Sequence, residues 1–208
     1  MAQFFSLHPT QPQPRLIKQA AEIVRAGGLI AFPTDSGYSL GGLTGDAALL
    51  DRIRRIRAVD ERHLFTLMCR DLSEIATYAR VDNSQFRLLK ATTPGSYTFI
   101  LEGTKELPRR VLHPKRKTIG LRIPEHPLPR ALLEALGEPM LTSTLSMPGE
   151  PVPMTDPQQI RERMEKHLDL VIEAGPCSDE MTTVINLVDG TPELIRAGRG
   201  SLAPFGLG

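Results

Sequence analysis

Hydroxyl side chains cluster where short apolar segments of this sequence begin or end, and such clusters are typical of sites for polar ligands. The residues are Thr34, Thr142, Ser143, Thr144, Ser146, Thr182 and Thr183. A packed core does not need so many hydroxyls beside turns, whereas a pocket for a polar, phosphorylated or zwitterionic ligand does. Arg57, Arg122 and Arg196 are candidates for its positive charge, because a planar guanidinium pairs with two carboxylate or phosphate oxygens at once. The pattern predicts an anion-binding pocket at strand ends, where open α/β sheets bind their ligands.

A second candidate for chemistry is Ser39, which lies in the G-x-S-x-G pattern of residues 37–41. In hydrolases this pattern places a nucleophilic serine on a sharp turn between a strand and a helix. Here Pro33 and Thr34 separate the predicted strand from the pattern, and further glycines keep the chain irregular up to Asp46. We therefore expect a serine in a glycine-rich loop that shapes a pocket, with a Ser39 hydrolase as the less favoured alternative.

Basic residues are concentrated in two segments, although the net charge of the chain is only +1. The first lies on a predicted helix and consists of Arg52, Arg54, Arg55 and Arg57. The second has no acidic residue between positions 107 and 124 and consists of Arg109, Arg110, Lys115, Arg116, Lys117 and Arg122. Pro108 and Pro114 prevent a single helix, so we expect an exposed basic loop that either contacts an anion or nucleic acid or is only solvated. Since the chain has no Trp and three Tyr, RNA would be held through its phosphates rather than by base stacking.

Several classes of site and of protein find no support in the sequence. It contains no P-loop, no G-x-G-x-x-G and no H-E-x-x-H pattern, and Cys69 and Cys177 stand far apart without companions at metal-ligand spacing. We expect two ordinary thiols and no metal site. No apolar stretch approaches the roughly 20 residues that span a bilayer, and residues 1–14 lack the basic start and apolar core of a signal peptide. We therefore expect a cytoplasmic protein with no membrane partner.

Helical and strand patterns alternate along the chain, which is typical of α/β proteins. Helices are predicted to begin at Pro14, Asp46 and Asp71, to span residues 83–90 and 127–136, and to begin again at Asp156. Strands are predicted at 29–32, 65–69, 97–101, 118–123, 140–144, 170–172, 183–188 and 194–196, the last two forming a hairpin. The 208 residues favour one domain, since a typical domain has about 150. We predict a single domain, 1–208, with a twisted, mixed open sheet flanked by helices.

Six short motifs, taken in chain order, resemble those of a known family. Residues 33–41 (PTDSGYSLG) resemble P-T-D-T-x-Y-G-L, and residues 93–101 (TPGSYTFIL) resemble P-G-P-x-T-x-I-L. Residues 118–124 (TIGLRIP) are similar to T-x-G-x-R-x-P, and residues 142–146 (TSTLS) to S-T-S-A-N. Residues 182–186 (TTVIN) are similar to S-T-V-I-D, and residues 195–198 (IRAG) match I-L-R-x-G in part. The chain is thereby identified as similar to the YrdC/YciO family, in wording closest to the YciO branch.

The resemblance implies a YrdC-like fold and the reaction of the threonylcarbamoyl-AMP synthases, which start threonylcarbamoyladenosine synthesis on tRNA. That reaction joins L-threonine, bicarbonate and ATP, releases pyrophosphate and uses a divalent cation, Mg. By position, L-threonine would be held by Thr34, Arg122, Thr142 and Thr182. The nucleotide would be held by Arg57, His63, Thr118, Thr144 and Arg196, with Arg57 and Thr144 in catalytic roles. The alternative is a double-stranded RNA- or tRNA-binding protein of the same fold without synthase activity, which would use Arg109, Arg110, Lys115, Arg116 and Lys117.

The sequence departs from the family pattern at four positions. Where the family has K-x-R, this chain has Arg57 and Val59, and the family's basic residue four positions beyond position 59 is here His63. A family histidine five positions further on is Met68, and S-x-N has become Thr144-Leu145-Ser146. An apolar Val59 stabilises no phosphate, and loss of one preorganised charge donor costs about a hundredfold to a thousandfold in rate. The departures predict weak synthase activity.

Overall fold

All 208 residues are described by the computed structural model, in which ten strands form one mixed sheet flanked by six α-helices. The strands are β1 (Gln3–Ser6), β2 (Ile30–Thr34), β3 (Gly37–Leu43), β4 (Thr66–Met68), β5 (Tyr97–Glu102), β6 (Thr118–Arg122), β7 (Met140–Thr144), β8 (Leu170–Glu173), β9 (Thr183–Asn186) and β10 (Glu193–Arg196). The helices are α1 (Pro14–Arg25), α2 (Ala47–Arg57), α3 (Leu72–Tyr78), α4 (Asn83–Thr92), α5 (Pro127–Leu136) and α6 (Pro157–Met164). The strand order is β1-β8-β2-β3-β7-β4-β6-β5-β9-β10, with both parallel and antiparallel neighbours. The predicted α/β class with a mixed sheet is confirmed.

Helix ends follow the local signals in the sequence. The side chain of Asp46 accepts hydrogen bonds from the first turn of α2, as expected of an N-cap. Helix α5 begins at Pro127 and ends before Gly137, whose φ of +78° lies in the left-handed region that glycine tolerates. The predicted hairpin is also present, because β9 and β10 pair antiparallel across Asp189 and Gly190. None of the six helices combines the length and the apolar character that crossing a bilayer requires.

The prediction of a loop over residues 34–45 is wrong. Residues Gly37–Leu43 form strand β3, which pairs antiparallel with β2, and Pro33 lies inside β2 rather than ending it. Strand β8 pairs with β2 only at Ile30 and Ala31, so Pro33 interrupts no ladder there. The glycines serve close packing: a Cβ on Gly41 would lie 2.8 Å from the ring of Phe32, and one on Gly42 only 2.1 Å from Leu49.

Strand β1 was not predicted, because its four residues carry no alternating pattern. It pairs parallel with β8 at the edge of the sheet, and only Phe4 and Phe5 of the strand are partly buried. Its position depends on β8, which lies more than 160 residues away in the chain.

The two faces of the sheet are covered unequally. One face, which includes Leu40, Leu67 and Phe99, packs in a core with residues of α2, α3, α4 and α6. The other face packs against α1 and α5 through Phe32 and Met140. Farther along that second face, register pairs Thr66 of β4 with Thr142 of β7. Thr142 is buried, whereas Thr66 is partly buried and lines a cavity, so the sheet has an open region there.

Candidate functional site

A cavity of about 450 Å³ lies on the open region of the sheet. Its polar lining combines two arginines, one histidine and several hydroxyls from segments far apart in sequence: Arg57, His63, Thr66, Thr98, Ser143, Thr144, Ser146, Thr182 and Arg196. Its apolar lining consists of Leu64, Ile100, Met181, Val184 and Ile195. Positive charge, hydroxyl groups and an apolar wall in one cavity suit a ligand with an anionic part and a flat apolar part.

Arg57 is the last residue of α2 and enters the cavity beside β7. Its Nη1 donates to Oγ of Ser143 at 2.8 Å and also to the backbone carbonyl of Thr144. Its Nε is buried without a hydrogen-bond partner. Burial lowers the pKa of Arg57, but a guanidinium stays protonated in proteins. Arg57 therefore presents a fixed positive charge with unused donor capacity, as an anion-binding arginine does.

His63 lies just before β4 and shares a hydrogen-bond partner with Arg57. Its Nε2 is 3.2 Å from Oγ of Ser143. Burial, together with the charges of Arg57 and Arg54, lowers the pKa of His63 to about 4. The ring is therefore neutral near pH 7, and the charged groups of the cavity are its two arginines.

Arg196 ends strand β10 and is held against the start of β9. Its Nε and Nη2 donate to the carbonyl of Thr182 at 3.2 and 2.9 Å, and Nη2 also donates to Oγ1 of Thr182 at 3.2 Å. That hydroxyl is 2.9 Å from Oγ1 of Thr98 on β5. Burial lowers the pKa of Arg196 without removing its charge. The hydrogen bonds thus fix a second cation on the wall formed by β5, β9 and β10.

The structure brings some of the proposed ligand-binding residues together and leaves others outside. Arg57, His63, Thr144, Thr182 and Arg196 line the cavity, whereas four residues do not, namely Thr34, Thr118, Arg122 and Thr142. Thr66 and Thr98 also line the cavity, although the sequence did not predict them as site residues. Their signal was weak, since each is a single threonine in an otherwise apolar strand.

Arg122 is buried and paired with a carboxylate of the protein itself. Its Nη2 donates to Oδ1 of Asp35, and only 5% of the Arg122 side chain and 10% of the Asp35 side chain are exposed. Oγ of Ser96 donates to the other oxygen of Asp35 at 2.6 Å. The Nε of Arg122 is buried with no partner. The Asp35 carboxylate therefore connects three of the motifs, those around Pro33, Pro94 and Arg122, by one ion pair and one hydrogen bond.

Three of the predicted threonines bond or pack within the framework instead. Thr34 donates to the carbonyl of Gly37 at 2.7 Å and stabilises the turn between β2 and β3. Thr142 donates to the carbonyl of Thr66 at 2.9 Å and links β7 to β4. Thr118 is buried at the start of β6. These residues support the cavity floor and its neighbouring strands.

Ser39 lies in the middle of β3, opposite Phe32 on one side and Thr144 on the other. It is buried, and no sharp turn into a helix follows it. The geometry of a nucleophile elbow is therefore not present, and the structure gives the Ser39 hydrolase alternative no support.

Comparison with known proteins places this chain in a family. The chain matches the Sua5/YciO/YrdC model, described as "Telomere recombination", over residues 22–198. It is 57% identical over 205 residues to the uncharacterised protein YciO of Escherichia coli K12, covering 99% of this chain and 100% of that protein. The chain belongs to the Sua5/YciO/YrdC family.

Solved structures and more distant relatives agree with this membership. The crystal structure of E. coli YciO superimposes with a TM-score of 0.95 at 56% identity, covering 99% of this chain and 100% of that one. The threonylcarbamoyl-AMP synthase of Nitrosococcus oceani is 28% identical, over 77% of this chain and 89% of that protein. P. abyssi Sua5 complexed with L-threonine shares the fold with a TM-score of 0.86 at 23% identity, over 94% of this chain and 57% of that one. The predicted family and fold are confirmed.

The departures from the family motifs have clear structural settings. Val59 follows the left-handed residue Ala58 that ends α2, and it does not line the cavity. Arg62 is exposed and lies outside the cavity lining. Met68 packs in the core beneath α1 and α5. Ser146 does line the cavity, and its hydroxyl offers one donor where a family asparagine offers two.

The cavity offers no carboxylate that could hold a divalent cation. Its lining oxygens are hydroxyls and backbone carbonyls, and no group of three or more His, Cys, Asp or Glu side chains is placed to bind a metal ion. Mg²⁺ is usually held by one or two carboxylates together with substrate phosphates. The residues present therefore do not fit a protein-held Mg²⁺.

Proposed function

We propose that this protein is a threonylcarbamoyl-AMP synthase-like nucleotidyltransferase that binds ATP and L-threonine in the 450 Å³ cavity. The observation that supports it best is the convergence of Arg57 and Arg196 with hydroxyl groups beside an apolar wall. The relationship to the N. oceani synthase and the shared fold of threonine-bound P. abyssi Sua5 point the same way. The product would serve threonylcarbamoyladenosine modification of tRNA.

The apolar wall would contact the base of the nucleotide, and the two arginines would contact its phosphates. An adenine ring packs favourably on apolar side chains such as Met181, Val184 and Ile195, because it removes their surface from water. Arg57 and Arg196 would then face the phosphates, where charge builds up as pyrophosphate leaves the α-phosphorus. The hydroxyl of Thr144, at the end of β7, would orient the same phosphate.

L-Threonine would lie toward Thr182, with Thr34, Arg122 and Thr142 behind it. The buried pair of Arg122 with Asp35 would support that end of the site without contacting the substrate. Bicarbonate would enter as the third reactant. Any Mg²⁺ would come with the phosphates of ATP, and no role in the reaction is assigned to a protein-bound metal.

The decisive assay measures pyrophosphate released from ATP with L-threonine and bicarbonate present together or singly. We expect release only when both are present, at a low rate because Val59 supplies no charge where the family has a basic residue. D-Threonine in place of L-threonine is the matched control. Folded protein that releases no pyrophosphate with all three reactants would refute the proposal.

RNA binding is the second candidate function, favoured by a basic surface that extends beyond the loop. In that loop, Val111 and Leu112 are buried, whereas the basic residues Arg109, Arg110, Lys115, Arg116 and Lys117 are exposed. Nη2 of Arg54 on α2 lies 3.5 Å from the carbonyl oxygen of Arg110, so the helix and the basic loop are in contact. On its other side, α2 borders a groove of about 540 Å³ lined by Arg52, Arg55, Arg163 and Lys166. We call the loop and groove cations together the basic band; within it, Arg52 pairs with Asp169 and Arg163 with Glu150.

Charge reversal tests the band directly. Replacing Lys115, Arg116 and Lys117 with glutamate is expected to weaken binding of tRNA or double-stranded RNA at least tenfold, and to reduce the slope of log K against log salt by about 2 or 3. The control reverses Arg15, Lys18 and Lys90, which are exposed residues of α1 and α4, and so changes the net charge equally. Equal losses in both variants, or none in the first, would contradict specific binding by the band.

A further inference from the structure

We propose that His63 is a positioning residue, a neutral imidazole that accepts the hydroxyl proton of Ser143 and so holds Arg57 in the cavity. In this role it is not a cation that contacts phosphate. The inference rests on the proposed function for the identity of the ligand, but part of its test needs no ligand.

The hydrogen bonds around Ser143 indicate which atom accepts its hydroxyl proton. Arg57 can only donate, so its Nη1, 2.8 Å away, uses a lone pair of the Ser143 oxygen. The hydroxyl proton of Ser143 then needs an acceptor, since the residue is only 5% exposed and a buried unpaired donor is costly. Nε2 of His63, at 3.2 Å, is the partner that remains. We therefore infer that the imidazole carries no proton on Nε2.

The charges around His63 favour the same state. Arg57 and Arg54, both on α2, disfavour a second cation at His63, whereas Asp60 favours one, with an influence smaller than that of Arg57 and larger than that of Arg54. Together with burial they lower the pKa of His63 to about 4. Arg196 lies on the other wall of the same cavity and adds no counter-charge.

Packing also fixes the ring. The imidazole meets the ring of Phe65 edge-on, with centroids 5.1 Å apart and planes at 88°, a favoured arrangement for aromatic pairs. Its orientation toward Ser143 is thus set by the core side of the protein. Arg57, which also donates to the Thr144 carbonyl, is then held by two acceptors that β7 presents.

Two substitutions give opposite expectations for a positioning role and for a phosphate-binding cation. His63→Gln keeps an acceptor near the position of Nε2, so ATP affinity should stay within about threefold of the wild type. His63→Lys adds a positive charge but can only donate, so it should displace Arg57 and weaken ATP binding about tenfold or more. Tighter ATP binding by His63→Lys would overturn the proposal.

The pH profile separates the two roles further. The ratio of wild-type to His63→Gln affinity for ATP should stay constant between pH 8 and pH 5.5, because His63 does not titrate there; protonation of ATP cancels in the ratio. A cation in contact with phosphate would instead make the wild type bind progressively better below its ordinary pKa of about 6.5. A ratio that changes in that direction would contradict positioning by a neutral ring.

A measurement on the ligand-free protein remains decisive if ATP does not bind. Nuclear magnetic resonance of the His63 ring should show the Nδ1–H tautomer at pH 7 and a titration midpoint well below 6.5. In Ser143→Ala the tautomer preference should be lost while the fold is retained. An Nε2–H tautomer, or a midpoint at or above 6.5, would refute the inference, whereas absence of ATP binding alone would refute only the proposed function.

Discussion

Asp35→Asn is expected to lower the free energy of unfolding by about 3–5 kcal/mol, the usual cost of removing one partner of a buried ion pair. The substitution leaves the Arg122 guanidinium charged and without its carboxylate, in a place where only 5% of its side chain is exposed. The loss should be measured by denaturant unfolding at pH 7. Because Asp35 pairs with Arg122 at the end of β6, the turn between β2 and β3 should also loosen from that strand.

The matched control for this prediction is Glu150→Gln. Glu150 pairs with Arg163 at 2.9 Å, but 48% and 42% of the two side chains are exposed, so the expected loss is within about 1 kcal/mol. Replacing Asp35 with leucine and Arg122 with methionine together should recover part of the stability, since no unpaired charge is then buried. A loss for Asp35→Asn no larger than that of Glu150→Gln would show that the pair is not effectively buried.

Arg57→Gln is expected to lower kcat/KM for pyrophosphate release by about 10²–10³-fold, the typical effect of removing one preorganised charge donor from an active site. The glutamine amide ends two bonds short of the position of Nη1, which contacts Ser143 and Thr144 in the wild type, and it brings no positive charge to the phosphates. The measurement is the threonine- and bicarbonate-dependent rate described above. Thermal unfolding of the variant should be followed in parallel, because Arg57 also links α2 to β7.

Arg55→Gln is the control on the same helix. Arg55 is exposed and lines the groove on the outer side of α2 instead of the cavity, so its activity should stay within about twofold of the wild type. Equal effects of the two substitutions would indicate that the helix charge as a whole, rather than the placement of Arg57, matters for the rate.

Local elements were predictable from the sequence because their signals act over a few residues. The ends of α5 follow from Pro127 and Gly137, and the start of α2 follows from Asp46. The final hairpin follows from the turn at Gly190 between two apolar runs. Close packing between residues on different elements leaves no such local signal. The glycines of β3 therefore predicted a loop, although they make room for Phe32 and Leu49.

The family motifs also predicted part of the cavity lining without knowledge of the sheet. The residues predicted in this way that line the cavity include Arg57, Thr144, Thr182 and Arg196. The tertiary structure decided which of the named residues face the cavity. Strands far apart in sequence become neighbours, as β3 and β7 do, and the register of each pair sets which side chains share a face. The tertiary structure also decided which side chains interact. Asp35 pairs with Arg122, and His63 and Arg57 both contact the hydroxyl of Ser143. Residue types and spacing determined the fold and the chemistry available, whereas long-range strand pairing decided where each charge and each hydroxyl proton lies.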